Sequence, residues 1–293
     1  MPAPDGDTSR LADQLANLPV AFTDETIRSL ARYRDLLLAA NQHVNLTAVR
    51  DAEGVERRLI VESLRLVPAV DRWVPTVPTA SLIDIGTGAG IPGLVLAIAR
   101  PSLAVTLLDA TGKKVAFLRD TIAALGLANV TAVHGRAETV AHEIPHRAAY
   151  DLATARGVAS LPALCELCLP FLRPGGVALL VKGTEIDAEL VGARAAAALL
   201  GGEVLEAPIL PQWGTETATR LAVIRKSGPT PRIYPRRSGV PVKSPLGGST
   251  QQREERAGRQ RQNDDEGPPG TDRSGRESPV LPKGKAPRRV LGV

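Results

Sequence analysis

The stretch Ser81-Leu82-Ile83-Asp84-Ile85-Gly86-Thr87-Gly88-Ala89-Gly90-Ile91-Pro92-Gly93 decides the fold. Ser81 to Ile85 is a short apolar run and predicts a strand. The alternate glycines that follow predict a tight turn whose backbone can approach a ligand with no Cβ in the way. Pro92 suits the first turn of a helix running to Ala99, because its missing N–H has no intrahelical partner to lose. Strand, glycine turn and helix make the opening unit of a doubly wound α/β sheet.

The alternation repeats outward from that unit. Downstream, strands are predicted at 104–108, 130–133, 150–155 and 177–182, with helices at 113–125, 161–171 and 185–200. Short loops between such units imply a parallel sheet covered on both faces. Glu203 to Ala207 and Arg220 to Arg225 have no helix between them and predict an antiparallel edge. Upstream, apolar residues recur at helical spacing over 23–40 and again over about 51–70, joined by the polar stretch Asn41 to Thr47. Pro75 and Pro78 mark a linker. Ligands of open α/β sheets bind at the carboxyl ends of the strands, so chemistry is expected in the loops after Ile85, Leu108, Val133, Ala155 and Val181.

Composition narrows the class. A chain of 293 residues can bury a large core, and no apolar run reaches the roughly 20 residues needed to cross a bilayer. No basic end followed by an apolar stretch opens the chain, so a cytosolic protein is expected. Cys165 and Cys168 fall within an amphipathic helix and read as buried thiols, and the four histidines share no ligand spacing with them, so no metal is expected. Charge is uneven: residues 1–226 hold 22 Lys and Arg against 24 Asp and Glu, whereas 227–293 hold 14 against 7. Apolar residues appear only singly after Ser227, and the segment 227–293 is therefore expected to be a disordered basic Pro/Gly/Arg-rich tail.

The loop bounds the ligand. Asp109 ends the second strand, 19 residues beyond Gly90, where a carboxylate can accept hydrogen bonds from both hydroxyls of a ribose. S-adenosylmethionine and NAD both carry that ribose, and Gly88-Ala-Gly90-Ile-Pro-Gly93 also spells the dinucleotide motif G-x-G-x-x-G. Asp84 weighs toward adenosylmethionine, since a carboxylate there would attract an ammonium and repel a pyrophosphate. An NAD-dependent oxidoreductase stays open as the alternative. The loop after the fourth strand, Thr154-Ala-Arg-Gly157, lacks the Asn/Asp-Pro-Pro-aromatic pattern used on exocyclic amines. No cysteine stands where pyrimidine C5 methylation needs a nucleophile. An acceptor with a free lone pair, such as guanine N7, needs neither device.

Several segments together resemble one family. Asn45-Leu-Thr-Ala-Val-Arg50, Ile83 to Gly93, Leu107-Leu-Asp109 with Gly112-Lys-Lys114 and Phe117-Leu118, Gly135-Arg-Ala-Glu138, Arg156 to Leu161 and Lys182-Gly183 are similar to the bacterial 16S ribosomal RNA guanine-N7 methyltransferases. This glucose-inhibited division protein B family is matched from about Phe22 to Lys226. The resemblance implies a Rossmann-like class I methyltransferase domain over 23–226, after an N-terminal extension at 1–22. It implies methyl transfer from S-adenosyl-L-methionine to a guanine N7 in 16S rRNA of the small ribosomal subunit. It also implies cofactor contacts by Gly86, Ile91, Ala137, Glu138 and Arg156, beside the ribose contact of Asp109. Asn45 and Lys182 are placed on the RNA side of the cleft, and no catalytic residue is named. A monomer is expected. The family's Arg-His-x-x-Asp-Ser-Leu reads Arg58-Leu59-Ile60-Val61-Glu62-Ser63-Leu64 here, and its Ser-Arg-Ala reads Ala155-Arg156-Gly157. A catalytically silent RNA-binding module on the same fold is the second alternative.

Overall fold

A sheet in the order β3-β2-β1-β4-β5-β8-β6, with β7 also paired to β8, carries the molecule. The computed structural model describes residues 8–74, 79–157, 159–212 and 218–248, which belong to one unit ending at Gly248. Strands β1 (Ala80–Ile85), β2 (Leu103–Asp109), β3 (Val130–His134), β4 (Tyr150–Arg156) and β5 (Leu172–Lys182) run parallel. β8 (Thr219–Lys226) pairs antiparallel with β5, and with β6 (Gly202–Glu206) and β7 (Ile209–Leu210) on its other side. The doubly wound sheet with its antiparallel edge is as the sequence implies. The Pro174-Gly175-Gly176 turn lies inside β5 as an exposed bulge, because Gly175 takes φ 90° while the pairing with β4 skips from Leu172 to Val177.

Both faces of the sheet are buried, which is why its strands read as apolar runs. In β5, Val177, Leu179 and Val181 face one core and Ala178 and Leu180 the other; in β8, Leu221 and Val223 face the first and Ala222 and Ile224 the second. The first core is closed by α1 (Ser9–Leu15), α2 (Asp24–Asn41), α6 (Gly93–Ala99) and α7 (Gly112–Leu125). A helical stretch joins them: α3 (Ala52–Val55), a π-helical segment (Glu56–Val61), α4 (Glu62–Leu64) and α5 (Val67–Trp73). The second core is closed by α8 (Ala137–Val140), α9 (Leu161–Cys168) and α10 (Asp187–Leu199). Cys165 and Cys168 are fully buried in α9, where burial pushes the Cys165 thiol up to about 12, so neither is a reactive thiolate.

Three expectations need correction. Within the N-terminal extension, the described residues 8–22 are part of the domain: Leu11, Leu15 and Leu18 enter the first core, and Arg10 donates at 2.5 Å to Glu56, a fully buried carboxylate that also pairs with Arg34. The second upstream helix is interrupted by the π turn and restarts at Val67. Most important, the segment after Lys226 is not all tail. Residues 227–248 pack on the domain as a strap ending in the short helix α11 (Val240–Lys243). Its anchors are mainly polar. Arg236 donates to both oxygens of buried Glu166, Arg147 donates to the carbonyls of Thr230, Pro231 and Tyr234, and Lys226 and Thr230 share the Leu200 carbonyl. Pro241 and Leu246 supply the apolar contact. The Pro75 and Pro78 linker and residues 249–293 lie outside the described residues.

Candidate functional site

Gly86, Gly88 and Gly90 take φ values of 68°, 60° and 99°, so each alternate position of the loop needs the left-handed region that only glycine enters freely. The loop then folds over the end of β2: Gly86 and Thr87 donate to the Leu108 carbonyl at 2.8 and 3.1 Å. Gly93 donates to Asp84 Oδ2 at 2.9 Å, and a Cβ on Gly93 would stand 2.6 Å from the Asp84 Cβ, so this close crossing of β1 and α6 excludes a larger residue. Asp109 clamps the other side, its Oδ2 accepting from Gly88 N–H at 2.9 Å and its Oδ1 from Thr111 N–H at 2.8 Å. Buried Tyr33 on α2 completes the frame by donating to the Ala89 carbonyl at 2.8 Å.

Polar groups converge where β1 and β4 end. Asp84 is fully buried, and that burial pushes its carboxyl up to about 6, against the opposing influence of the Thr87 hydroxyl and Gly93 N–H. Neighbouring Asp109 raises it further, and Arg156 pulls it down. Burial lowers the Arg156 guanidinium, which Glu62 and Asp84 favour and Arg65 opposes. Arg156 Nη2 donates to the Arg58 carbonyl at 2.9 Å, inside the π-helical segment. Of the six buried side-chain polar atoms without a partner of hydrogen-bonding geometry among the described residues, four lie here: Asp84 Oδ1, Thr87 Oγ1, Arg156 Nη1 and Glu62 Oε1. The Thr87 hydroxyl can turn to the Asp84 carboxylate, which leaves Arg156 Nη1 and Glu62 Oε1 open beside them; an orphaned buried polar atom costs about 1–3 kcal/mol, which favours a polar partner here.

Gly86, Ile91 and Asp109 come together around the glycine loop. Ala137 and Glu138 open α8 beyond β3, and their N–H groups have no intrahelical acceptor. The Glu138 carboxylate is already engaged, accepting from Gly239 N–H of the strap at 2.7 Å. Asn45 is exposed in a loop built by its neighbour Asn41, which bonds the carbonyls of Thr47 and Val49 and the N–H groups of Leu46 and Thr47. Lys182 is no free cation: its ammonium is held by the Ala159 carbonyl at 3.0 Å and by Glu189. At the first departure from the family pattern, Leu59 packs against the first core. Glu62 reaches Arg65 at 2.6 Å and Thr219 at 3.2 Å. Fully buried Arg65 also donates to the Leu210 and Pro211 carbonyls, which ties the helical stretch to β7.

A family model described as "rRNA small subunit methyltransferase G", GidB, matches residues 26–215. The chain is 43% identical over 227 residues to the Ribosomal RNA small subunit methyltransferase G of Moorella thermoacetica, covering 78% of this chain and 93% of that protein. With the proteins of the same name from Roseiflexus sp. and Deinococcus radiodurans the identities are 46% over 220 residues and 43% over 240. Those matches cover 75% and 81% of this chain, and 92% and 90% of the relatives. The glycine loop, the two strand-end aspartates and the matched span agree: the chain belongs to the GidB family, rRNA small subunit methyltransferase G.

Proposed function

We propose that the protein transfers a methyl group from S-adenosyl-L-methionine to N7 of a guanine in 16S rRNA, acting as a monomer in the cytoplasm. The observation that carries the cofactor assignment is the set of unpartnered buried atoms beside the glycine loop. Asp84 Oδ1 and Thr87 Oγ1 suit the cofactor's ammonium, and Arg156 Nη1 suits its carboxylate. Asp109 has used one lone pair on each oxygen for backbone N–H groups and keeps the others for the ribose hydroxyls. In this reading the backbone at Ala137 and Glu138 meets the adenine, and Gly86 and Ile91 pass close along the ligand. The cofactor supplies a methyl group activated by a positively charged sulfur.

Guanine N7 carries an in-plane lone pair, so no side chain has to remove a proton before attack. The protein's contribution is to hold the base in line with the methyl–sulfur bond and to exclude water. That fits a site in which no catalytic base is evident. A strain lacking the gene tests the assignment. One 7-methylguanosine should be missing from its 16S rRNA, restored by the wild-type chain and not by Asp109→Ala. An unchanged 7-methylguanosine content in the deletion strain would refute it.

A further inference from the structure

The strap carries positive charge from the end of the sheet where β4 begins, at Arg147, up to the start of α8. Residues 227–248 contain Arg232, Arg236, Arg237 and Lys243 and no Asp or Glu. Arg236 is spent on Glu166. Arg232 and Arg237 are exposed, and neither has a carboxylate partner among the described residues. Beneath them, Arg147 spends its donors on backbone carbonyls, which leaves its charge uncompensated. Arg232 and burial lower the Arg147 guanidinium, and Arg147 in turn adds to the burial that pushes Lys226 down to about 8.

Position decides which anion. Gly239 bonds Glu138 at the start of α8, where the cofactor's adenine is assigned, and Arg237 stands two residues away along the strap. Two residues of chain span at most about 7 Å, so this charge lies at the rim of the proposed cofactor site. Ile233, 73% exposed next to Arg232, adds an apolar face to the same segment. A polyanion matches a row of exposed cations that no carboxylate neutralises.

We infer that residues 230–239 form an RNA-docking surface that runs along this face, with Arg237 on a phosphate nearest the proposed cofactor site and Arg232 on phosphates farther along the strand. The inference rests on the proposed rRNA methyltransferase reading. Fixed cations along the strap set the register of the bound strand, because phosphate contacts position a nucleic acid on its protein.

The test uses the full-length chain with Arg232→Glu and Arg237→Glu together. A matched reversal at Arg288 and Arg289 controls for net charge. In vitro transcribed 16S rRNA is the probe, and calorimetry with S-adenosylmethionine monitors the site. The strap reversal should weaken RNA binding at least tenfold at low salt and flatten the slope of log K against log salt by about one to two. Cofactor affinity should not move, and the control should lose much less RNA affinity. Equal losses in the two double variants, or no loss in the strap variant with cofactor binding intact, would overturn the docking surface. If the wild-type chain methylates neither the transcript nor the assembled small subunit while the strap variant still loses RNA binding, the enzymatic reading fails and the surface stands.

Discussion

Asp109 holds two backbone N–H groups, from Gly88 and Thr111, so it shapes the loop before any ligand arrives. Asp109→Ala should weaken S-adenosylmethionine binding by about 1.5–3 kcal/mol, the range for a hydrogen bond to a charged group. Calorimetry on the folded variant checks it, and an unchanged affinity would remove Asp109 from the site. Asp84 makes a pH argument. Its carboxyl titrates at about 6 because it is fully buried, and an ammonium beside it favours the ionised form. Cofactor affinity should therefore be flat above pH 6 and fall about tenfold per unit below it, an effect Asp84→Asn abolishes. Stability of the free protein has the opposite sign. Folded Asp84 holds its proton at a pH where the unfolded chain has lost it, so this contribution is lost as pH rises from about 4 through 6. At this scale the loop was legible, because glycines at alternate positions after a strand encode dihedral angles directly. Tyr33 and Asn41 were not: Tyr33 meets a carbonyl 56 residues away, and Asn41 is defined by backbone groups rather than by any side-chain pattern.

Among the elements, the π-helical segment and the strap separate what a sequence pattern can carry from what it cannot. Helical periodicity over 51–70 located the helix, but the extra backbone spacing at Glu56–Val61 leaves no apolar signature. That segment presents the Arg58 carbonyl to Arg156, in keeping with the frequent use of π turns at functional sites. Scarcity of apolar residues argued for disorder after Ser227, and the argument failed for residues 227–248. Order there comes from buried charge and carbonyls, chiefly Glu166, which is fully buried and receives three donors from Arg236. Two of those donors belong to the side chain, so Arg236→Ala should destabilise the fold by on the order of 3 kcal/mol by leaving Glu166 without its charge partner. Urea denaturation reads this out. A loss below about 1 kcal/mol would show that the pair contributes no more than an exposed one. The parallel strands and their antiparallel edge, by contrast, were readable, since Val, Leu and Ala runs buried on both faces have few other places to go; the strand order was not.

For the whole molecule, the redrawn boundary changes the charge balance. With the strap included, residues 1–248 carry 26 Lys and Arg against 24 Asp and Glu, so the described unit is weakly basic where 1–226 alone is weakly acidic. Residues 249–293 hold 10 against 7, and much of the excess first assigned to the tail belongs to the strap. Two truncations distinguish the segments. Ending the chain after Gly248 should leave the melting temperature and cofactor affinity unchanged. Ending it after Lys226 should lower the melting temperature by several degrees, because Glu166 and Glu138 lose Arg236 and Gly239. Equal melting temperatures for the two would return the strap to the status of a passenger. The central claim is that this site moves a methyl group to guanine N7, and its most direct test is transfer itself. Purified protein, S-adenosylmethionine labelled on the methyl group and 16S rRNA, offered as naked transcript and as assembled small subunit, are combined, and the digested RNA is read by mass spectrometry. The expected result is one label, as 7-methylguanosine, absent with the Asp109→Ala variant; label on another atom or base, or on neither form of the RNA despite measured cofactor binding, would contradict the account.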